Sequence, residues 1–183
     1  MNRFLLPGSL LLLLAACTSR PATEQQGTAP TDSARVATAA PGTLPATPTA
    51  LPARLQNLGL QPNHDWRAVS LGDAFAAAKA TETATPFEQD STHVGYTQEL
   101  DNLESVDYQY IQQNGVVATI EVDLYLNTAG SVEAYRQDLT TYLTARYGPG
   151  TRTELVTSWQ NGKAVLRNVS KRKDFGLKLT LKR

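Results

Sequence analysis

Glu121 and Asp123 stand two residues apart in a run that alternates apolar and polar side chains. As a strand, that run projects both carboxylates from one face, within about 7 Å of each other. Such a pair can divide acid and base work on a glycosidic bond, or hold a divalent cation. His64-Asp65, and Asp90 with His93, are the other metal-ligand types at short spacing, and no third ligand is spaced to complete either set. Tyr108, Tyr110 and Tyr125 carry rings suited to stacking on a sugar, a peptide or a partner protein. Lys171-Arg172-Lys173, followed by Lys178, Lys182 and Arg183, is a basic group of the kind that touches anionic lipid headgroups. The chain has one cysteine, Cys17. It has no nucleophile elbow, Gly-rich phosphate loop, HExxH or calcium loop, so no catalytic set, metal or cofactor is expected.

Cys17 closes a distinctive leader. Arg3 supplies a positive charge, Phe4 to Ala16 is apolar with five consecutive leucines from Leu10 to Leu14, and small residues follow, the order of a signal peptide. As a helix, Phe4 to Ala16 reaches only about 20 Å, short of a hydrocarbon core of about 30 Å, so a lasting span is not expected. Leu14-Ala15-Ala16-Cys17 resembles the lipobox of bacterial lipoproteins. The resemblance implies removal of residues 1–16, a diacylglyceryl group on the Cys17 thiol, and an acylated N-terminus at the same residue. An unpaired thiol in an oxidising compartment is a liability that lipid attachment removes. One acyl chain anchors marginally and two or three anchor firmly. By resemblance to the sorting rules of enteric bacteria, Thr18 in place of aspartate implies the outer membrane, facing the periplasm.

Residues 18–54 hold six prolines, eight threonines, nine alanines and no aromatic residue. That composition buries too little apolar surface to offset the entropy of ordering it, so residues 17–54 read as a lipidated tether. Asp32-Ser33-Ala34 and Asp90-Ser91-Thr92 both resemble a short bacterial O-glycosylation motif. Residues 55–183 are long enough for one domain with its own core. Formal net charge is zero, which argues against nucleic acid as a partner. Sign is unevenly distributed, however. Residues 82–138 hold eleven acidic residues against the single base Arg136, and residues 139–183 hold ten bases against Glu154 and Asp174.

The elements that position these residues follow from periodicity. Trp66 to Leu71 reads as a short strand, Ala74 to Thr81 as a helix, and Val94 to Leu100 and Glu104 to Gln112 as strands. Val116 to Leu126 is the clearest strand, with Val116, Ala118, Ile120, Val122, Leu124 and Leu126 on one side. Ser131 is placed to cap a helix whose stripe is Val132, Tyr135, Leu139, Tyr142, Leu143 and Tyr147, stopped by Gly148-Pro149. Arg152 to Trp159, Ala164 to Ser170 and Leu177 to Lys182 complete the strands, with Asn161-Gly162 as a turn. The expected fold class is α+β: a two-layer sandwich of a curved antiparallel sheet of about six to seven strands with two helices on one face. The order reads as a helix-plus-strands unit used twice, and loosely resembles the layout of TATA-box-binding-protein-like folds in element order alone.

The turn at Gln113-Asn114-Gly115 decides what the open sheet face displays. A two-residue Asn114-Gly115 turn sets Tyr108 against Glu121 and exposes the rings. A three-residue loop sets Tyr108 against Ile120 and Tyr110 against Ala118, in the core. Burial favours the three-residue loop. If the rings are exposed, Val106, Tyr108, Tyr110, Val117 and Tyr125 form an aromatic patch on the open face. The leading functional expectation is a lipid-anchored, non-enzymatic binding or assembly domain that meets an envelope protein or polysaccharide. A small hydrolase using Glu121 and Asp123 is the second, and calls for a deep cleft around both. An inhibitor or immunity-type lipoprotein is the third, and calls for a protruding loop near Pro86 or Lys171.

Overall fold

A computed structural model describes residues 50–183. The expected leader, Cys17 and the O-glycosylation-like triplet at Asp32 lie outside the described residues, as does all of the expected tether up to residue 49. Helix α1 (Ala53–Asn57) precedes α2 (Phe75–Thr81), and β1 (Glu88–Gln89), β2 (His93–Glu99), β3 (Ser105–Gln113) and β4 (Val116–Leu126) follow. Helix α3 (Ala129–Tyr147) then leads to β5 (Thr151–Arg152), β6 (Val156–Trp159), β7 (Ala164–Asn168) and β8 (Phe175–Lys182). All eight strands form one open antiparallel sheet in the order β1-β2-β3-β4-β8-β7-β6-β5, giving a sheet-dominated α+β fold.

The count differs from the expected six to seven for two reasons. Two-residue edge strands, β1 and β5, join the sheet, and Trp66 to Leu71 stays out of it. Trp66 and Val69 instead exchange backbone hydrogen bonds across a tight turn, with Arg67 at φ 54°. Both Trp66 and Val69 are thereby driven into the core, which an extended strand with alternating faces cannot achieve three residues apart.

One face of the sheet is apolar. Val94, Tyr96, Val106, Tyr108, Tyr110, Val117, Ile120, Val122, Leu124, Leu166, Leu177, Leu179 and Leu181 are all buried on it. Helix α3 packs on β4, β6, β7 and β8, and α2 on β3 and β4. The six apolar residues expected on the α3 stripe are its six buried residues. Its cap differs from the expectation: the Thr128 hydroxyl accepts from Ser131 N at 3.0 Å, and the helix begins a turn earlier than Ser131. A β-region Thr with a free hydroxyl suffices to satisfy an orphan amide there.

The β3–β4 hairpin combines features of both expected registers. Asn114 and Gly115, at φ 55° and 81°, form a two-residue turn, with Gln113 paired to Val116. The three-residue loop is therefore not formed. Between Ile111↔Thr119 and Gln112↔Val117 a bulge leaves Ala118 as an extra residue on β4, so Tyr108 faces Val122 and Tyr110 faces Ile120. The bulge restores by one residue what the short turn takes away, and both tyrosines stay in the core. It also turns Val117 inward, against the alternation read from sequence, leaving Val116 half-buried.

Candidate binding surface on the open face of the sheet

The aromatic patch that exposed rings would form is not on the open face, because Tyr108 and Tyr110 serve the core, as the burial argument expected. Tyr108 and Tyr110 are buried and donate to the two oxygens of Glu82, at 2.9 and 2.6 Å. The Glu82 side chain is itself nearly inaccessible, and Arg67 Nε lies 3.3 Å from its Oε2. Arg67 also donates to Leu58 O and Gln98 Oε1 and lies over the Tyr108 ring at 5.0 Å. A buried carboxylate is tolerable only with such partners. Burial, reinforced by the Glu82 charge, raises both phenol pKa values far above the ordinary range. Val106 and Val117 are buried as well, which leaves Tyr125, half exposed, as the one member of the set on the open face.

The other sequence candidates separate by environment. Asp65 is buried rather than ligating. Its Oδ1 accepts from Arg146 Nε at 2.6 Å and from the Tyr147 hydroxyl, and its Oδ2 accepts from Leu71 N at 2.7 Å. Burial pushes its pKa up, and the bonds from Arg146, Tyr147 and Leu71 outweigh that and hold it below the usual carboxylate value. His64 Nδ1 lies 3.3 Å from Ser70 Oγ. Asp90 caps the β1–β2 turn, accepting from the Thr92 and His93 amides, and those bonds pull its pKa down to about 2. His93 sits between Asp90 and Glu88 at 3.1 and 3.2 Å. Among the described residues no group of three or more His, Cys, Asp or Glu is placed to hold a metal ion. Ser91 of the second O-glycosylation-like triplet is exposed in the same turn. The segment around Pro86 lies along β2, with Phe87 N bonded to Gly95 O and its ring seated where a Gly95 side chain would stand.

Glu121, Asp123 and Tyr125 are brought together on the open face, where no described helix covers them. The register aligns a row across six strands: Thr97, Asp107, Asp123, Lys178, Arg167 and Val156. Lys178 Nζ lies 3.2 Å from Glu121 Oε2 and 3.3 Å from Asp123 Oδ2, each side chain about one-third exposed. Partial burial works against the Lys178 charge, but Asp123 and Glu121 outweigh it and raise its pKa. Thr97 Oγ1 donates to Asp107 Oδ1 at 2.6 Å. Burial, then the charges of Asp107 and Asp123, raise the Tyr125 phenol.

Two features of this row bear on chemistry. Asp107 and Asp123 are directly opposite on adjacent strands, a like-charge pairing that works against the fold. And the carboxylates lie on an exposed face bridged by an ammonium, not in a cleft. A cleft of about 750 Å³ lies elsewhere, between α1, the β2–β3 connection and the start of α3, lined by Arg54, Gln98, Asp101, Glu104, Ser131 and Tyr135. The arrangement suits reversible polar contact with a ligand that lies flat on the face, with Tyr125 as its aromatic element. Asp107, Thr97 and Arg167 escaped the sequence reading. The polar alternation of β3 was a signal for Asp107, but membership of the row requires the bulged register. Lys171, Arg172 and Lys173 are exposed in the β7–β8 turn, outside this row.

Among the described residues no helix is long and apolar enough to cross a membrane. No protein-family model, no curated protein and no solved structure matches the chain.

Proposed function

We propose that this chain is a lipid-anchored envelope lipoprotein, held through Cys17 at the outer membrane and facing the periplasm, whose domain is a non-enzymatic binding or assembly module. In this reading the open sheet face, with Asp107, Glu121, Asp123, Tyr125 and Lys178, meets a protein or polysaccharide partner. The domain is a two-layer sandwich built from a duplicated unit of one helix and four strands. The symmetric order β1-β2-β3-β4-β8-β7-β6-β5, in which α2 precedes the first four strands and α3 the second four, supports that duplication.

The observation that carries the binding reading is the opposition of Asp107 and Asp123 on a face with no cover. Departures from local rules concentrate where function needs them. Asp107→Asn keeps the acceptor for Thr97 and removes the repulsion. It is expected to raise stability by about 0.5 kcal/mol while weakening capture of the envelope partner. The test is thermal unfolding alongside cross-linking capture from envelopes with wild type, Asp107→Asn and Tyr125→Ala. A cross-linked species lost in both variants supports the reading; capture that is the same in all three overturns it.

A further inference from the structure

The antiparallel order brings four connections to one end of the sheet: β2–β3, β4–α3, β5–β6 and β7–β8. Four of the five exposed large apolar side chains among the described residues lie at that end: Leu103, Tyr125, Leu155 and Val169. Two of these share a corner. Asn168 N donates to Leu155 O at 2.8 Å and Val169 N to Gly176 O at 3.1 Å, so the β5–β6 and β7–β8 connections are neighbours. Leu155 is 55% exposed and Val169 44%. Around them stand Arg152, Arg167, Lys171, Arg172 and Lys173, all exposed, against Glu154 and Asp174. Among the described residues none of these five cations is in an ion pair. The Lys171↔Asp174 bridge, with Arg172 at φ 55°, holds the turn as a defined tip rather than a loose loop.

We infer that this corner docks on an anionic bilayer surface, with Leu155 and Val169 entering the interface and the five cations engaging headgroups. Two observations favour lipid over another macromolecule. The two apolar side chains at the corner make a patch far below the area of a stable protein interface, whereas shallow insertion of single side chains with surrounding Lys and Arg is enough for interfacial binding. The charges at this end also divide between its two corners, the described chain entering the domain beside the other one. Residues Ala50 and Leu51 lead into α1, whose Arg54 lines the cleft flanked by the β2–β3 connection and the start of α3. The opposite corner carries Glu99 and Asp101 beside Leu103, so an anionic surface repels it and selects the basic corner. The inference takes its biological setting from the lipid-anchor reading. Tethering makes even a weak contact effective, and fixes how the open face is presented.

The test uses the chain from Thr18, which retains every described element, and co-sedimentation with phosphatidylcholine vesicles with and without phosphatidylglycerol. Partitioning is expected only with phosphatidylglycerol, and should fall steeply as salt rises through about 0.1 M. Replacing Lys171, Arg172 and Lys173 together by glutamine should weaken it roughly 100-fold, about fivefold per cation. Leu155→Ser with Val169→Ser should weaken it by about tenfold, and Leu103→Ser should leave it unchanged. Equal partitioning on both vesicles, an unaffected triple variant, or loss through Leu103→Ser overturns the inference. So does full competition by inorganic polyphosphate with no effect of Leu155→Ser and Val169→Ser, the signature of a general polyanion site. Because this chain lacks Cys17, failure here leaves the anchor reading standing. Absence of lipid on native Cys17 would fell the anchor reading alone.

Discussion

At the scale of single residues, six of the seven tyrosines are buried, and the carboxylates of Asp65 and Glu82 are drawn inside with them. Tyr110 shows the principle: its hydroxyl is one of two donors to the sequestered Glu82 carboxylate. Tyr110→Phe is expected to cost about 2 kcal/mol, the range for a hydrogen bond to a charged group, and chemical denaturation reads it directly. Asp65 makes a pH prediction. Its folded pKa lies below the ordinary value of 3.8, so its contribution is complete above that value and is lost as pH falls through the folded one. The unfolding midpoint should therefore drop as pH is lowered below about 4. The drop should be smaller in Asp65→Asn, which starts about 3 kcal/mol less stable at neutral pH because Arg146 loses its partner.

At the scale of elements, α3 and β4 do most to set the architecture, and both depend on their ends. Thr128 is the one side-chain cap on α3, and Thr128→Ala should cost about 1 kcal/mol, measured as a shift in unfolding midpoint without a change in the denaturant slope. The β3–β4 turn needs two left-handed residues, and Asn114 and Gly115 supply them. The bulge at Ala118 then sets which face β3 turns to the core. Gly115→Val strains the turn and is expected to destabilise by about 1–2 kcal/mol. Hydrogen exchange should show the loss concentrated in β3 and β4.

At the scale of the whole molecule, the strand order converts a separation of charge along the chain into a separation across the sheet. The acidic run supplies β1 to β4 and the basic run supplies β5 to β8, so the halves meet at the β4–β8 seam, where Asp123 pairs with Lys178. This polarity gives the domain one end and one side that differ in what they attract. The anchor reading makes a prediction at the same scale. In cells, the wild type should incorporate labelled palmitate and fractionate with membranes, and Cys17→Ala should lose the label.

A leader, a lipobox-like tetrapeptide and a proline-rich tether are expectations read from composition and order alone, because such signals reside in local sequence and need no tertiary partner. Period-2 and period-3.6 patterning likewise gave the β4 strand and the whole α3 stripe, since burial on one face imposes those periods locally. The fate of Tyr108 and Tyr110 was legible only as a consequence of burial, reached through a bulge that no local pattern announced. The buried Glu82 and Asp65 networks, the Asp107–Asp123 opposition and the basic corner were decided by tertiary structure. Each joins segments distant along the chain, and a cross-strand neighbour exists only once the register and strand order are fixed.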